Sequence, residues 1–143
     1  MGPLRRLLTL PPAERRLVVA AALLVLAARA SLRLLPYAAV RRLAARLGGA
    51  VKRPRLPAAR IAWAVAAAGR RVPGGNNCFA QALAAHVLLA RHGHTSRLRL
   101  GVARSSAGRF EAHAWVEHES DVLVGAPGSA RYTAFPATAG DGP

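Results

Sequence analysis

The apolar period changes once along this chain, near Gly93. Before it, apolar side chains recur at helical spacing. Val40, Leu43, Ala44 and Leu47 fall at i, i+3, i+4 and i+7, one face of a helix. After it they alternate. Leu98, Leu100 and Val102 share one face of Thr95–Ala103, and His113, Trp115 and Glu117 share one face of Phe110–His118. Helices followed by consecutive antiparallel strands give an α+β fold, in which a helix must cover the apolar face of the sheet.

The punctuation of the chain sets the elements. Residues 1–12 read as a basic, proline-containing lead. Pro12 and Glu14 suit the first turn of a helix that runs to Leu35, because proline has no N–H to lose there and an acid meets the positive end of the dipole. Pro36 breaks it. A second helix covers Tyr37–Leu47 and stops at Gly48-Gly49, residues 50–57 read as a linker, and a third helix spans Pro57–Ala68. Asn76 or Asn77 can cap a fourth, Cys78–Arg91, with Gly93 just past its end. Ser105–Gly108 turns between the two strands, Val122–Val124 makes a third strand, and the chain loosens from Ala134. Three regions follow: a basic helical region at 1–57, a core at 58–135 and a flexible tail at 136–143.

Charge divides the chain as sharply as period does. Residues 1–75 hold 15 Lys and Arg against the single acid Glu14, a net +14, and residues 76–143 are nearly neutral. Such asymmetry suits an anionic partner, although twenty of the 21 basic residues are Arg, which a GC-rich coding sequence also produces. Nucleic acid is the poorer fit, because the basic half has one Trp and one Tyr and no interleaved aromatics or metal motif. Leu17–Ala28 is an apolar run shorter than the ~20 residues of a membrane span. It reads as a buried helix or one lying on a membrane surface. Pro11, Pro12, Glu14, Arg15 and Arg16 interrupt an export signal, so the expectation is a cytoplasmic protein, with signal-peptide mimicry or membrane-surface contact through the first long helix as alternatives.

Chemistry concentrates in the neutral half. Cys78, the one cysteine, stands at a helix start, where roughly +0.5 of a unit charge favours thiolate over thiol. His113 follows on a strand, and a thiolate beside an imidazole is an activated nucleophile. The alternative is a structural cysteine that packs as a small hydrophobe. Of the two aspartates, Asp121 and Asp141, the first begins the strand after His113 and is the expected third member; Glu117 shares the His113 face but lies two residues along the same strand. Oxyanion or substrate contacts fall to the Cys78 N–H, Gln81 and an Asn76 or Asn77 amide, with Trp115 walling the site. His86 is expected to pack, His92 and His94 to be solvated, and His118 to face away from His113. Scattered histidines give no metal site, no cofactor motif is present, and Gly74-Gly75 lacks the Lys-Ser/Thr of a phosphate loop.

A helix opening on Cys, followed by a meander bearing His, resembles the core of papain-like and transglutaminase-like folds. More specifically, Cys78-Phe79-Ala80-Gln81-Ala82-Leu83-Ala84, Leu88–Gly93, Leu98–Val102, Ala112-His113-Ala114-Trp115-Val116-Glu117 and Arg131-Tyr132-Thr133-Ala134-Phe135 resemble the transglutaminase-like leader peptidase of lasso-peptide biosynthesis, as does Leu32–Pro36. The resemblance implies a Cys-His-Asp protease that removes the leader from a ribosomally made precursor peptide. It implies a separate leader-recognition protein, and an asparagine-synthetase-like cyclase that closes the macrolactam on the freed N-terminus. Cys78 maps to the nucleophile and His113 to the base. The place of the family's Asp is held by Gly125 and Asp121 is the nearest acid, so under this resemblance the third role could also fall to a backbone carbonyl, an amide or a water. Two other readings stay open: an acyltransferase using the same dyad, and a non-enzymatic basic adaptor for nucleic acid or a membrane surface.

Overall fold

A computed structural model describes residues 2–48, 56–74, 77–125 and 133–134, and among them five helices precede an antiparallel sheet. The helices are α1 (Pro3–Leu8), α2 (Pro12–Leu34), α3 (Tyr37–Gly48), α4 (Ala58–Gly69) and α5 (Cys78–Arg91). Strands β1 (Arg97–Arg104), β2 (Phe110–His118), β3 (Asp121–Val124) and β4 (Thr133–Ala134) lie in the spatial order β3-β2-β1-β4. This is the expected α+β architecture. The linker at 50–55, Asn76, and the tail beyond Ala134 lie outside the described residues.

The helix signals act where the sequence places them. Pro12 opens α2 with Glu14 in its first turn, and Leu35 is already extended ahead of Pro36. The six-residue α1 was not expected. Its first residue is a proline, which costs nothing at a helix start, but one and a half turns show no apolar period to detect. Gly48 was expected to stop α3; it is the last helical residue, buried against α5. A Cβ there would stand 2.9 Å from the Cβ of Ala90, so only glycine lets the two helices approach this closely.

One core serves the helical region and the sheet. Ala21 of α2, Ala64, Ala67 and Ala68 of α4, and Ala80 and Ala84 of α5 are at most 1 % exposed. These small side chains let three helices sit close, and Val18, Val25, Ile61, Val65 and Leu89 fill the spaces between them. The sheet adds Leu98, Ala114, Val116 and Val124 to the same cluster. Leu43 and Leu47, placed by period on the inner stripe of α3, are instead 41 % and 42 % exposed; Val40, Ala44 and Gly48 do the burying.

Two sets of contacts fix which ends coincide. The Tyr37 ring meets Phe79 edge-on at 5.6 Å and Gly48 meets Ala90, so α3 runs parallel to α5. His86 Nδ1 pairs with Ser96 Oγ at 2.7 Å, and the His118 Nδ1–H donates to the Thr95 carbonyl at 2.7 Å. Those bonds tie the far end of β2 to the C-terminal end of α5, so β2 starts near the N-terminal end of α5. α2 has 23 residues and a mean hydropathy of 2.0 over 18 of them, long and apolar enough by length and composition to cross a membrane. Leu17, Val18, Ala21, Val25 and Ala28 nonetheless pack one side of it into the protein.

The alanine contacts make the core sensitive to added volume. Ala64→Leu should lower the free energy of urea unfolding by about 1–3 kcal/mol with an unchanged m-value. Ala45→Leu on the exposed face of α3 should stay within ~0.5 kcal/mol.

Candidate active site

Asn77 begins the site. Its backbone is extended and its side-chain Oδ1 accepts from the Ala80 N–H at 3.0 Å, a capping bond that starts α5 at Cys78. The Gln81 N–H goes to the Asn77 carbonyl at 3.1 Å. The N–H groups of Cys78 and Phe79 are the first two of the helix, which intrahelical bonds cannot satisfy. Cys78 is half-buried, in the first turn, beside these donors. The helical region holds this turn in place. Arg29 of α2 donates to the Pro73 carbonyl at 2.6 Å, and Tyr37 of α3 braces Phe79.

The imidazole of His113 is oriented from the sheet. Its Nε2–H donates to the Gly125 carbonyl at 2.8 Å. A carbonyl only accepts, so this bond assigns the proton to Nε2 and makes Nδ1 the basic nitrogen of the neutral ring. The ring stacks on Trp115, with centroids 6.0 Å apart and planes 23° from parallel. Trp115 is 5 % exposed, and its indole N–H donates to Glu117 Oε1 at 3.0 Å. Glu117 therefore steadies the tryptophan that supports the histidine. Across β1, the partner of His113 is Gly101, which has no side chain to crowd the ring.

Gly125 closes β3 with φ +84°, and a Cβ on it would stand 2.7 Å from the Ala114 carbonyl oxygen and 3.0 Å from the Trp115 Cβ. This backbone turns its carbonyl onto His113 only because no side chain is present. The same fact explains the missing acid: a carboxylate-bearing residue does not fit in this conformation.

Asp121 does not take the place expected of it. It pairs with His118, five strand positions from His113, or about 16 Å along β2 at ~3.3 Å per residue. It is exposed at the start of β3, next to a two-residue turn in which Glu119 and Ser120 have positive φ. The turn fixes its position, and the imidazole's partner is a backbone oxygen instead. The oxyanion candidates also sort out. The Asn77 Oδ1 is committed to its cap, which leaves the side-chain N–H groups as the donors that residue can offer, and the Trp115 N–H is committed to Glu117. Gln81 sits half-buried one turn into α5.

Counting rise per residue from the Ser96–His86 bond puts Cys78 and His113 toward the same end of α5, without a direct contact between them among the described residues. From the Ser96–His86 bond, five residues of β1 to Gly101 advance about 16 Å and eight residues of α5 back to Cys78 advance about 12 Å. Alternation puts Ala114 and Val116 into the core under α5 and His113 on the opposite face of β2. Among the described residues no hydrogen bond joins the thiol to the ring. Proton transfer between them needs the closer approach that substrate binding often brings to such pairs.

Three of the other histidines have hydrogen-bonding partners, and His92, expected in solvent, is half-buried with its Nδ1 out of contact with water. His86 bonds Ser96, His94 bonds the Leu56 carbonyl and meets the His118 ring edge-on, and His118 bonds Thr95. His94 is therefore not the solvated turn residue the sequence suggested. No group of three or more potential metal ligands occurs among the described residues.

Residues 22–136 match the family model described as the transglutaminase-like superfamily, a span from α2 through β4 that holds the Cys78 turn, His113 and Gly125. No curated protein and no solved structure gives a significant match. The match covers well over half of the sequence, and the chain belongs to the transglutaminase-like superfamily.

Proposed function

We propose that this protein is a cysteine peptidase that removes the leader from a ribosomally synthesised lasso-peptide precursor. Transglutaminase-like domains include cysteine proteases and acyltransferases. The observation that carries the reading is the Asn77-capped helix start, which puts the lone thiol beside two N–H groups that intrahelical bonds cannot satisfy, in a chain of that superfamily. The lasso assignment rests on the resemblance of the segments around Cys78 and His113. A separate leader-recognition protein and an asparagine-synthetase-like cyclase belong to the same proposal.

In this mechanism the Cys78 thiolate adds to the carbonyl carbon of the leader–core bond. The oxyanion is met by the Cys78 and Phe79 N–H groups at the positive end of α5. Collapse breaks the C–N bond, and His113, protonated at both nitrogens, gives its Nδ1 proton to the departing core amine. A leader acyl-enzyme remains. Neutral His113 then takes a proton from water as it attacks the thioester, and the thiolate leaves. The Gly125 carbonyl holds the Nε2–H through both halves, so Nδ1 makes both proton transfers. If an amine replaces water, the same steps give acyl transfer.

The test is mass-spectrometric cleavage of a lasso-type precursor with its recognition partner. Cys78→Ala should abolish cleavage, and His113→Ala should lower kcat/KM by about 10²–10⁴-fold, the range for a lost general acid–base group. Asp121→Ala should stay within roughly twofold, as expected of an exposed residue remote from the chemistry. Cleavage that survives Cys78→Ala sinks the peptidase reading.

Gly125→Ala separates the positioning role of the carbonyl from the thiol chemistry. Strain at φ +84° should destabilise the fold by about 1–3 kcal/mol. In conditions where the variant stays folded, kcat should fall more than KM rises. A Gly125→Ala enzyme with wild-type kcat would remove the carbonyl from the mechanism.

A further inference from the structure

The protein packs on only one side of α2. Its inward stripe is in the core, while Val19, Leu23 and Leu26 on the outer side are 43 %, 63 % and 41 % exposed. These positions, with Ala30, recur at helical spacing and form one line along the helix. The line begins at Arg16 and ends at Arg33, about 25 Å at 1.5 Å per residue, with no charge on it between them. Arg29 falls in this interval, but its guanidinium turns away to the Pro73 carbonyl. Alongside, the exposed Leu43 and Leu47 of α3 extend the apolar surface across a groove lined by Leu24 and Ala27 above the buried Ala28, Val40 and Leu83.

We propose that this face is a docking surface for an anionic lipid bilayer, with α2 lying in the plane of the interface. Charge complementarity selects the occupant. Arg16, Arg33, Arg42 and Arg46 are exposed around the plate, and residues 1–75 carry a net +14. The single acid of that half, Glu14, is paired with Arg60. An apolar helix face ringed by arginines matches acyl chains below and anionic headgroups beside it. The inner side of α2 packs on α4 and α5, which favours a helix lying in the interface over one wrapped in lipid. A single acidic helix would fill the α2–α3 groove yet leave the outer line of α2 in water. This inference is independent of the peptidase reading: it concerns a face built by α2 and α3, and its readout is binding.

The experiment is co-sedimentation of the full chain with vesicles, either pure phosphatidylcholine or containing about a third phosphatidylglycerol. The chain should sediment with the anionic vesicles, more weakly with neutral ones, and less as salt is raised. The double variant Leu23→Glu/Leu26→Glu changes only exposed side chains. It should keep the wild-type circular dichroism and lose at least ~10-fold in vesicle affinity, as two inserted leucines are replaced by charge. Equal binding to both vesicle types, no binding to either, or undiminished binding of a folded variant overturns the proposal. So does a solution dimer that this variant dissociates, which would assign the face to a second copy of the chain.

Discussion

The burial of α5 on all sides is the constraint on which the rest of the structure depends. Ala80, Ala82, Leu83, Ala84, Ala85, Val87, Leu88 and Leu89 go around the whole helix, and all are buried. A helix apolar all round is stable in water only if other elements surround it. Here α2, α3 and α4 take one side and the sheet the other. Only the ends of such a helix can then meet solvent or substrate. The thiol stands at the N-terminal end, where the unsatisfied N–H groups and the dipole lie. Site and core are two consequences of the same sequence run, Cys78–Arg91.

At the other half of the site, a backbone oxygen stands where a carboxylate would be expected. Both accept from the Nε2–H and both fix the tautomer. They differ in charge. A carboxylate stabilises the imidazolium by charge-assisted bonding, roughly twice the strength of a neutral hydrogen bond. The Gly125 carbonyl offers orientation with little of that electrostatic help. The geometry therefore supplies a rigid holder, because a carbonyl held between β2 and β3 has no rotamer freedom to lose. The stacking of Trp115, itself fixed by Glu117, restrains the ring further.

What could be read from the sequence follows from how local each signal is. α5 and its Asn77 cap, the bounds of β2, and the start of α2 depend on residues within a turn of one another, and those were legible. Gly125 was visible only as the wrong residue at an acid's place. That its carbonyl serves instead depends on φ and on the proximity of Ala114 and Trp115, which no spacing rule encodes. Asp121 looked right in register because a carboxylate at a strand start is near the preceding strand. Its true opposite is His118, since the turn at Glu119-Ser120 is as tight as a hairpin allows. Leu43 and Leu47 fit the helical period of α3, but period says which side chains share a face and not whether anything covers it.

The basic helical half is mechanically part of the site, although it carries none of the proposed chemistry. Arg29 reaches from α2 to the Pro73 carbonyl, and Tyr37 from the start of α3 to Phe79, so both helices brace the turn that presents Cys78. Neither contact could be inferred from composition: one is a long-range bond from an arginine in an arginine-rich helix, the other a ring pair between segments far apart in sequence. Without them the turn would rest on the Asn77 cap alone, a bond worth about 1 kcal/mol. A shift of 1 Å at a nucleophile can cost a hundredfold in rate. The charge and hydropathy that mark residues 1–75 as separate in composition thus conceal a shared core and a shared responsibility for where the thiol stands.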